Sequence, residues 1–196
     1  MERVDLVYLH RIDPSVPLEE SLQALADCQR EGKIGSIGLS KVTAETVLSA
    51  DKVATVTAVQ NEYSILKKPN KLGLLSSVEK DDKVLIAYSP LARGLLTNNA
   101  RKKDHLNEND FRRADPRFEE VQFKSIKKAT AILRDIAKSR HVCPEAIALS
   151  WLLGLNDNLA VIPGCRSEKQ VVSAISASTI KLNQAEMDEI SLIDCK

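Results

Sequence analysis

Short apolar segments alternate along the chain with segments of helical periodicity. The apolar segments, rich in β-branched and aromatic residues, predict five strands, at residues 4–10, 34–40, 56–60, 83–89 and 159–163. The first of them is continuous rather than alternating, which favours a strand covered on both faces. Apolar residues at spacings of three and four predict helices at residues 18–31, 43–50, 72–80, 122–140, 168–178 and 184–193, and one more after Pro144.

The order of these elements predicts an α/β fold. Because helices separate the strands, right-handed crossovers and a parallel sheet are expected. A Rossmann fold is disfavoured, since no G-x-G-x-x-G follows the first strand. A (β/α)8 barrel needs eight strands and typically about 250 residues, so the five strands predict either an open sheet or a barrel of which a part is absent. The polar, broken stretch at residues 94–121 predicts a long loop that is functional or mobile.

Composition adds the features of an ordinary globular protein. The 196 residues, 28% charged and 43% hydrophobic, are enough for a single domain over residues 1–196. A formal net charge of +1 gives no support for binding nucleic acid or a membrane surface. Neither an apolar run of about 18 residues nor a signal sequence is present, so a cytoplasmic location is expected. The four cysteines lack metal-ligand spacing, so reduced structural thiols and no metal site are expected.

Chemically unusual residues follow several of the predicted strands. YLHRID (8–13) places His10 at a strand end, and GSIGLS (35–40) ends in Ser40. Three further motifs of this kind are AVQNEYS (58–64), IAYSPLARGLL (86–96) and VIPGCRSEKQ (161–170). Because active sites of α/β proteins are built from polar groups at the carboxyl ends of parallel strands, these motifs predict a site at that edge.

In order, wording and spacing, the five motifs resemble those of the aldo-keto reductase superfamily, from about residue 3 to the C-terminus. DFRRADPRF (110–118) is also similar to a long-loop signature of the pyridoxal reductase-like branch. The resemblance implies a (β/α)8 TIM barrel and NADP(H)-dependent reduction of aldehydes or ketones, with pyridoxal among the expected substrates.

The resemblance also implies a role for individual residues. His10 is expected to polarise the substrate carbonyl, Ser40 and Gln60 to hold the nicotinamide carboxamide, and Tyr88 to stack on the nicotinamide ring. Residues expected to border the pyrophosphate are Ser89, Leu91 and Arg93. Residues expected at the adenosine end are Gly164, Arg166, Ser167 and Gln170. Arg166 beside a helix N-terminus suits the 2′-phosphate of NADP(H) better than NAD(H).

Several features depart from the family pattern. The chain is expected to begin at the fourth of eight strands, so that the first three strand–helix units are missing, together with the catalytic aspartate, tyrosine and lysine of the family. Ser173 and Ala174 stand where many members have a Glu-Asn pair for the adenine, and Lys41 stands where many have Asn. A truncated barrel leaves open sheet edges, for which self-association is expected. Activity of the chain by itself is therefore in doubt.

Simpler explanations stand beside these assignments. Read without their motifs, His10 is a structural histidine, Tyr88 a packing residue and Arg166 a solvated charge. His105 and His141 are expected at the surface, and Trp151 in the core. At the level of function, the alternative is a non-catalytic aldo-keto reductase-like protein that binds a nicotinamide cofactor or a protein partner.

Overall fold

The computed structural model describes residues 2–68 and 73–194. The chain divides into two compact units. The first comprises residues 1–62, 69–88 and 158–160, and the second comprises residues 63–68, 89–157 and 161–196. Among the residues that the structure describes, no helix has the length and apolar composition that a membrane span requires.

A five-stranded sheet contains four strands that lie wholly in the first unit and a fifth of which Leu159 and Ala160 belong to that unit. Its strands, in the order in which they lie side by side, are β1 (Val4–Leu9), β2 (Ile34–Ser40), β3 (Val56–Glu62), β4 (Val84–Tyr88) and β5 (Leu159–Ile162). The pairs from β1 to β4 are all parallel. The α/β fold and the parallel sheet are thereby confirmed, and each strand lies within two residues of its predicted bounds.

Three helices connect the first four strands: α1 (Leu18–Arg30), α2 (Ala44–Ala50) and α3 (Leu74–Lys80). The first residues of the predicted helix 72–80 lie partly outside the described ranges. Gly32 follows α1 at a φ of 74°, a conformation that a side chain disfavours. Thr43 caps α2 by accepting a hydrogen bond from the Thr46 amide, as its position before the apolar residues predicts.

The two faces of the sheet differ in burial. Side chains on one face are almost fully buried, among them Ile37, Leu39, Val59 and Leu85. Residues of the opposite face, such as Tyr8 and Ile86, are only partly buried. The expectation that β1 is covered on both faces is wrong, because none of its residues is fully buried. Its apolar run therefore borders the less covered face, which carries the polar strand-end residues.

A β-bulge in β3 determines which side chains of that strand lie on the less covered face. Ile37 of β2 pairs with Val56, and the next residue, Gly38, pairs with Ala58. Thr57 is therefore an extra residue between two paired positions, and its Oγ1 donates to the Ile37 carbonyl at 3.2 Å. Bulges of this kind commonly re-aim the side chains that follow them.

Helices dominate the second unit: α4 (Glu120–Ala129), α5 (Ala131–Ser139), α6 (Pro144–Leu153), α7 (Glu168–Ser176) and α8 (Gln184–Ser191). Eight of the ten residues of α6 are buried. Among them is Trp151, 1% exposed, which confirms the predicted core position. His105 and His141 are exposed, as expected.

The single helix predicted at residues 122–140 is wrong, because the chain forms two helices there. Thr130 interrupts them with φ −90° and ψ 11°, and it is the C-terminal cap of α4 and the N-terminal cap of α5. Its Oγ1 donates to the Ile126 carbonyl at 2.7 Å. Threonine bends helices through such back-bonding, and apolar periodicity continues across the break without revealing it.

Candidate functional site

Three polar or aromatic side chains lie on the less covered face of the sheet, at or near the carboxyl ends of successive strands, and a fourth follows the strand beside them. His10 follows the last residue of β1, while Ser40 and Tyr88 are the last residues of β2 and β4. Gln60 of β3 pairs directly with Ser40, and Tyr88 pairs with Glu62 two residues further on. With neighbouring strands about 4.8 Å apart, the four positions extend over roughly 15 Å. The structure thus brings these four predicted residues to one edge.

Ser40 is the most buried of the four, at 1% exposed, whereas His10 is exposed. The Ser40 hydroxyl accepts a hydrogen bond from Nη1 of Arg11 at 3.2 Å. The same nitrogen donates to the His10 carbonyl oxygen at 2.5 Å. Arg11 was not among the predicted site residues, and the sequence carries no signal for its role beyond its place after His10.

The backbone turns sharply after Ser40. Lys41 has a φ of 57°, and its amide donates to the Gln60 carbonyl oxygen at 2.9 Å. On the buried face, the Asn61 side chain accepts from the Val42 amide at 3.1 Å and donates to the Val42 carbonyl at 2.7 Å. The loop after β2 is therefore held to β3 by a backbone bond to Gln60 and by the Asn61 side chain, which keeps Ser40 beside Gln60.

Tyr8 lies on the same face, two residues before His10. Gly38 makes room for its ring, since a Cβ there would come within 2.4 Å of a ring carbon. Burial raises the pKa of the Tyr8 phenol, and the Gln60 side chain offsets part of that rise. The Tyr8 hydroxyl nevertheless forms no bond of ordinary hydrogen-bond geometry within the described residues. A phenol in this setting is held in its neutral form.

The raised pKa of Tyr8 predicts a loss of stability in alkali. A phenol with a folded-state pKa above the unfolded value of about 10 stabilises the fold fully below that value. The contribution disappears as pH rises through the folded-state pKa. We expect the urea midpoint to fall more steeply above about pH 10 in the unchanged chain than in Tyr8→Phe. Parallel curves for the two proteins in urea titrations across this range would contradict the assignment.

In the second unit, Ser89, Leu91 and Arg93 lie in one compact turn after β4. Ser89 and Arg93 have φ values of 50° and 58°, in the left-handed region that non-glycine residues rarely adopt. Such conformations cost free energy and cluster at ligand-binding sites. The predicted pyrophosphate residues therefore occupy an unusual backbone segment.

The Arg93 side chain is engaged with the long loop. Its Nη1 lies 3.1 Å from Oδ2 of Asp115, and its guanidinium lies 5.5 Å from the centre of the Phe111 ring. The loop was predicted at residues 94–121, and it contains short 3₁₀ turns, at Lys103–His105, Phe111–Ala114 and Pro116–Phe118. The charge predicted for a phosphate is thus already paired with a carboxylate.

Two Asp-x-Arg repeats stabilise that loop. Asp110 accepts from the Arg112 amide and binds its guanidinium through both oxygens, at 2.9 Å and 2.6 Å. Asp115 binds Arg117 in the same way, at 3.0 Å and 2.6 Å. Hydrogen bonds from Arg112 lower the pKa of the Asp110 carboxyl to about 2. The two Asp-x-Arg groups lie in DFRRADPRF, which in the sequence indicated only a family signature and not these ion pairs.

The residues predicted at the adenosine end lie in the turn that leads into α7. Ser167 is the N-cap, and its side chain accepts from the Gln170 amide. The Gln170 Oε1 accepts from the Arg166 amide at 2.6 Å, and the Arg166 side chain is exposed. Gly164 has open space where a Cβ would be, so sterics do not require glycine there. Ser167 and Gln170 therefore have capping roles that need no ligand.

The positive charge of Arg166 is partly offset by Asp110, a carboxylate of the same unit, because Arg166 contributes to the lowered pKa of Asp110.

Ser173, on α7, has its hydroxyl within hydrogen-bonding distance of the Cys143 thiol. Cys28 and Cys143 are half-buried free thiols, Cys165 is an exposed free thiol, and Cys195 lies outside the described residues. Within residues 2–68 and 73–194, no cluster of three or more acidic, histidine or cysteine side chains could hold a metal ion.

The predicted cofactor residues fit parts of a nicotinamide dinucleotide. Ser40 and Gln60 place a hydroxyl and an amide side by side, which suits a carboxamide that both donates and accepts hydrogen bonds. Arg166 offers an exposed guanidinium next to the N-terminus of α7, which suits a phosphate. These two groups belong to different units of the chain.

Known proteins resemble this chain both in sequence and in structure. The family model described as "Aldo/keto reductase family" matches residues 1–194 of this chain. The aldo-keto reductase str7 of Strobilurus tenacellus is 35% identical over 188 residues, which cover 94% of this chain and 56% of that protein. The aldo-keto reductase yakc [NADP(+)] of Schizosaccharomyces pombe is 34% identical over 191 residues, covering 95% of this chain and 56% of that protein.

Solved structures show the same partial coverage. The thermostable aldo-keto reductase Tm1743, in complex with the inhibitor epalrestat, aligns with a TM-score of 0.77 at 29% identity, over 98% of this chain and 60% of its own. The glycerol dehydrogenase AKR11B4 from Gluconobacter oxydans aligns with a TM-score of 0.88 at 26% identity, over 96% and 58%. The chain thus spans somewhat more than half the length of these relatives.

Proposed function

Because this chain belongs to the aldo/keto reductase family, we propose that it serves NADP(H)-dependent reduction of aldehydes or ketones. The observation that carries the proposal is the common face of Ser40, Gln60 and Tyr88 on three successive parallel strands, with His10 directly after the neighbouring strand β1. The name of the fission yeast relative, which includes NADP(+), supports the choice of cofactor. Pyridoxal is the substrate that the long-loop motif favours within this class.

The proposed chemistry assigns one task to each of these residues. Bound NADPH would supply the hydride. Ser40 and Gln60 hold the carboxamide, and the Tyr88 ring fixes the nicotinamide plane. His10, exposed at its strand end, donates a hydrogen bond to the carbonyl oxygen while negative charge develops there. The exposed position of His10 leaves it accessible to a small carbonyl substrate.

The proposal includes the architecture of a (β/α)8 barrel. In this proposal the five strands correspond to strands four to eight, and the less covered face of the sheet corresponds to the barrel interior. Coverage of 56% to 60% of the relatives' lengths agrees in size with five of eight strand–helix units. The family's other three catalytic residues would then come from outside this sequence.

Two measurements, cofactor binding and then turnover, test the proposal. NADPH fluorescence titration of the 196-residue chain is expected to show saturable binding, which His10→Ala leaves intact. Consumption of NADPH with pyridoxal and with simple aldehydes then measures reduction, and any turnover by the chain is expected to fall by at least about 100-fold in His10→Ala. Absence of saturable binding at about 1 mM NADPH, the weak end of the affinity scale, would contradict the proposed function.

Arg166 provides a prediction about cofactor choice. Arg166→Ala is expected to weaken NADPH binding about tenfold, because a guanidinium–phosphate contact is lost, and to change NADH binding less than about twofold. Lys169→Ala is the matched control, since it removes an exposed cation from the first turn of the same helix. Equal losses for both cofactors, or an equal effect of Lys169→Ala, would count against a 2′-phosphate site at Arg166.

A non-catalytic, cofactor-binding or partner-binding role is the second candidate. The exposure of β1 favours the partner-binding form, because this outer strand of the sheet has no fully buried residue. The partner-binding form would use the edge strands β1 and β5, where unpaired backbone groups favour pairing with another chain. Saturable NADPH binding without turnover would support this role, and a concentration-dependent mass in sedimentation equilibrium would support self-association.

A further inference from the structure

The contact between Arg11 and Ser40 has a consequence for cofactor binding. Ser40 is 1% exposed, although His10 and Arg11 beside it are exposed. The guanidinium of Arg11 lies over this strand end, with Nη1 3.2 Å from the Ser40 hydroxyl oxygen. A ligand that is to contact Ser40 therefore meets a hydroxyl that already has a partner.

The Arg11 group resembles the ligand chemically. A guanidinium N–H and a carboxamide N–H are both planar donors of similar length, and each can donate to the Ser40 oxygen, of whose two acceptor positions Arg11 already takes one. Arg11 Nη1 is also anchored by the His10 carbonyl oxygen at 2.5 Å. The arginine thus occupies an acceptor position of Ser40 that a carboxamide N–H could use, while it remains bound to the His10 carbonyl at the end of β1.

We propose that Arg11 is a placeholder that competes with the nicotinamide carboxamide for Ser40 and must move before the cofactor binds. This inference rests on the proposed cofactor function of the same site. The bond to Ser40 is at the long end of the normal range, and Arg11 is exposed. Moving Arg11 away from Ser40 therefore costs little free energy, and the arginine weakens cofactor binding without preventing it.

The inference predicts a gain of affinity when Arg11 is removed. Arg11→Ala is expected to lower the dissociation constant for NADPH about fivefold, which corresponds to one modest hydrogen bond. The gain should be absent for 2′,5′-ADP, which lacks the nicotinamide. It should also be absent in the Ser40→Ala background, where the contested oxygen no longer exists. Isothermal titration calorimetry with both ligands measures these values.

Lys41→Ala is the matched control, because it removes a neighbouring exposed cation that donates no hydrogen bond to the Ser40 hydroxyl. If only the loss of a positive charge mattered, both Arg11→Ala and Lys41→Ala would bind NADPH and 2′,5′-ADP more weakly, since both ligands are anionic. Weaker or unchanged NADPH binding by Arg11→Ala overturns the inference and leaves the proposed function standing. Tighter NADPH binding by Arg11→Ala than by the unchanged chain supports the inference, and absence of binding by every variant overturns it together with the proposed function.

Discussion

Asp51→Ala should lower the free energy of unfolding by about 3 kcal/mol, because it leaves a buried lysine without its counter-ion. Lys83 is 6% exposed, and its Nζ lies 3.0 Å from Oδ2 of Asp51 and 2.9 Å from the Val56 carbonyl oxygen. Oδ1 of Asp51 also accepts from the Val56 amide at 2.9 Å. Urea denaturation at neutral pH, followed by circular dichroism, measures the change.

Two further variants make this test specific. Asp27→Ala removes the same side chain from an exposed pair with Arg30, and exposed pairs contribute less than about 1 kcal/mol. Adding Lys83→Met to Asp51→Ala should recover a large part of the loss, since no buried charge remains. A loss below about 1 kcal/mol for Asp51→Ala, or no recovery in the double variant, would show that Lys83 reaches water on its own.

This ion pair lies at the end of the sheet opposite to the candidate site. Val56 and Lys83 stand at the amino ends of β3 and β4, whereas Gln60 and Tyr88 stand at or near the carboxyl ends of the same strands. In parallel α/β proteins the amino ends commonly carry stability and the carboxyl ends chemistry. Loss of the pair should therefore affect the site only through unfolding of the first unit.

Trp151→Ala should destabilise the second unit by about 4 kcal/mol, because truncation of a buried aromatic residue leaves a large cavity. Trp151 is 1% exposed and meets the Tyr63 ring edge to face, with centroids 6.2 Å apart. Its Nε1 donates to the Ser191 hydroxyl at 3.0 Å, and Lys68 Nζ lies 5.7 Å from its ring centre. The indole therefore connects α6 to the end of α8.

Trp151→Phe is the control that separates volume from hydrogen bonding. It keeps most of the aromatic contact with Tyr63 and loses the indole N–H, so a cost of about 1–2 kcal/mol is expected. Circular dichroism follows unfolding in both variants, because the chain's one tryptophan is removed in each. Equal losses for the two variants would show that the hydrogen bond to Ser191, rather than packing, dominates.

Most secondary-structure elements were predictable because their apolar residues are close in sequence. The strands before Ser40 and Tyr88 and the helix that Thr43 caps are determined by local patterns. The break at Thr130 was not predictable, since apolar spacing is unchanged on both sides of it. Its cause is a hydroxyl that competes for a helical carbonyl, and composition alone does not show which threonines do so.

The candidate site was predictable in position and less so in its contacts. Parallel strands bring their carboxyl ends to one edge, and this places Ser40 beside Gln60 without further information. Where a long side chain goes depends on groups that are distant in sequence. Arg93 reaches Asp115, 22 residues away, and Arg11 reaches Ser40, 29 residues away. Neither contact has a signature in the sequence pattern.

One surplus residue in β3 decides which side chain accompanies Ser40. A ladder that took Thr57 into regular pairing would set Val59 opposite Ser40 and turn Gln60 towards the buried face. An alignment with a relative that lacks the extra residue therefore needs a gap beside Thr57. Without that gap every later residue of the strand is compared with the wrong neighbour, and a glutamine in the right place is scored as a substitution.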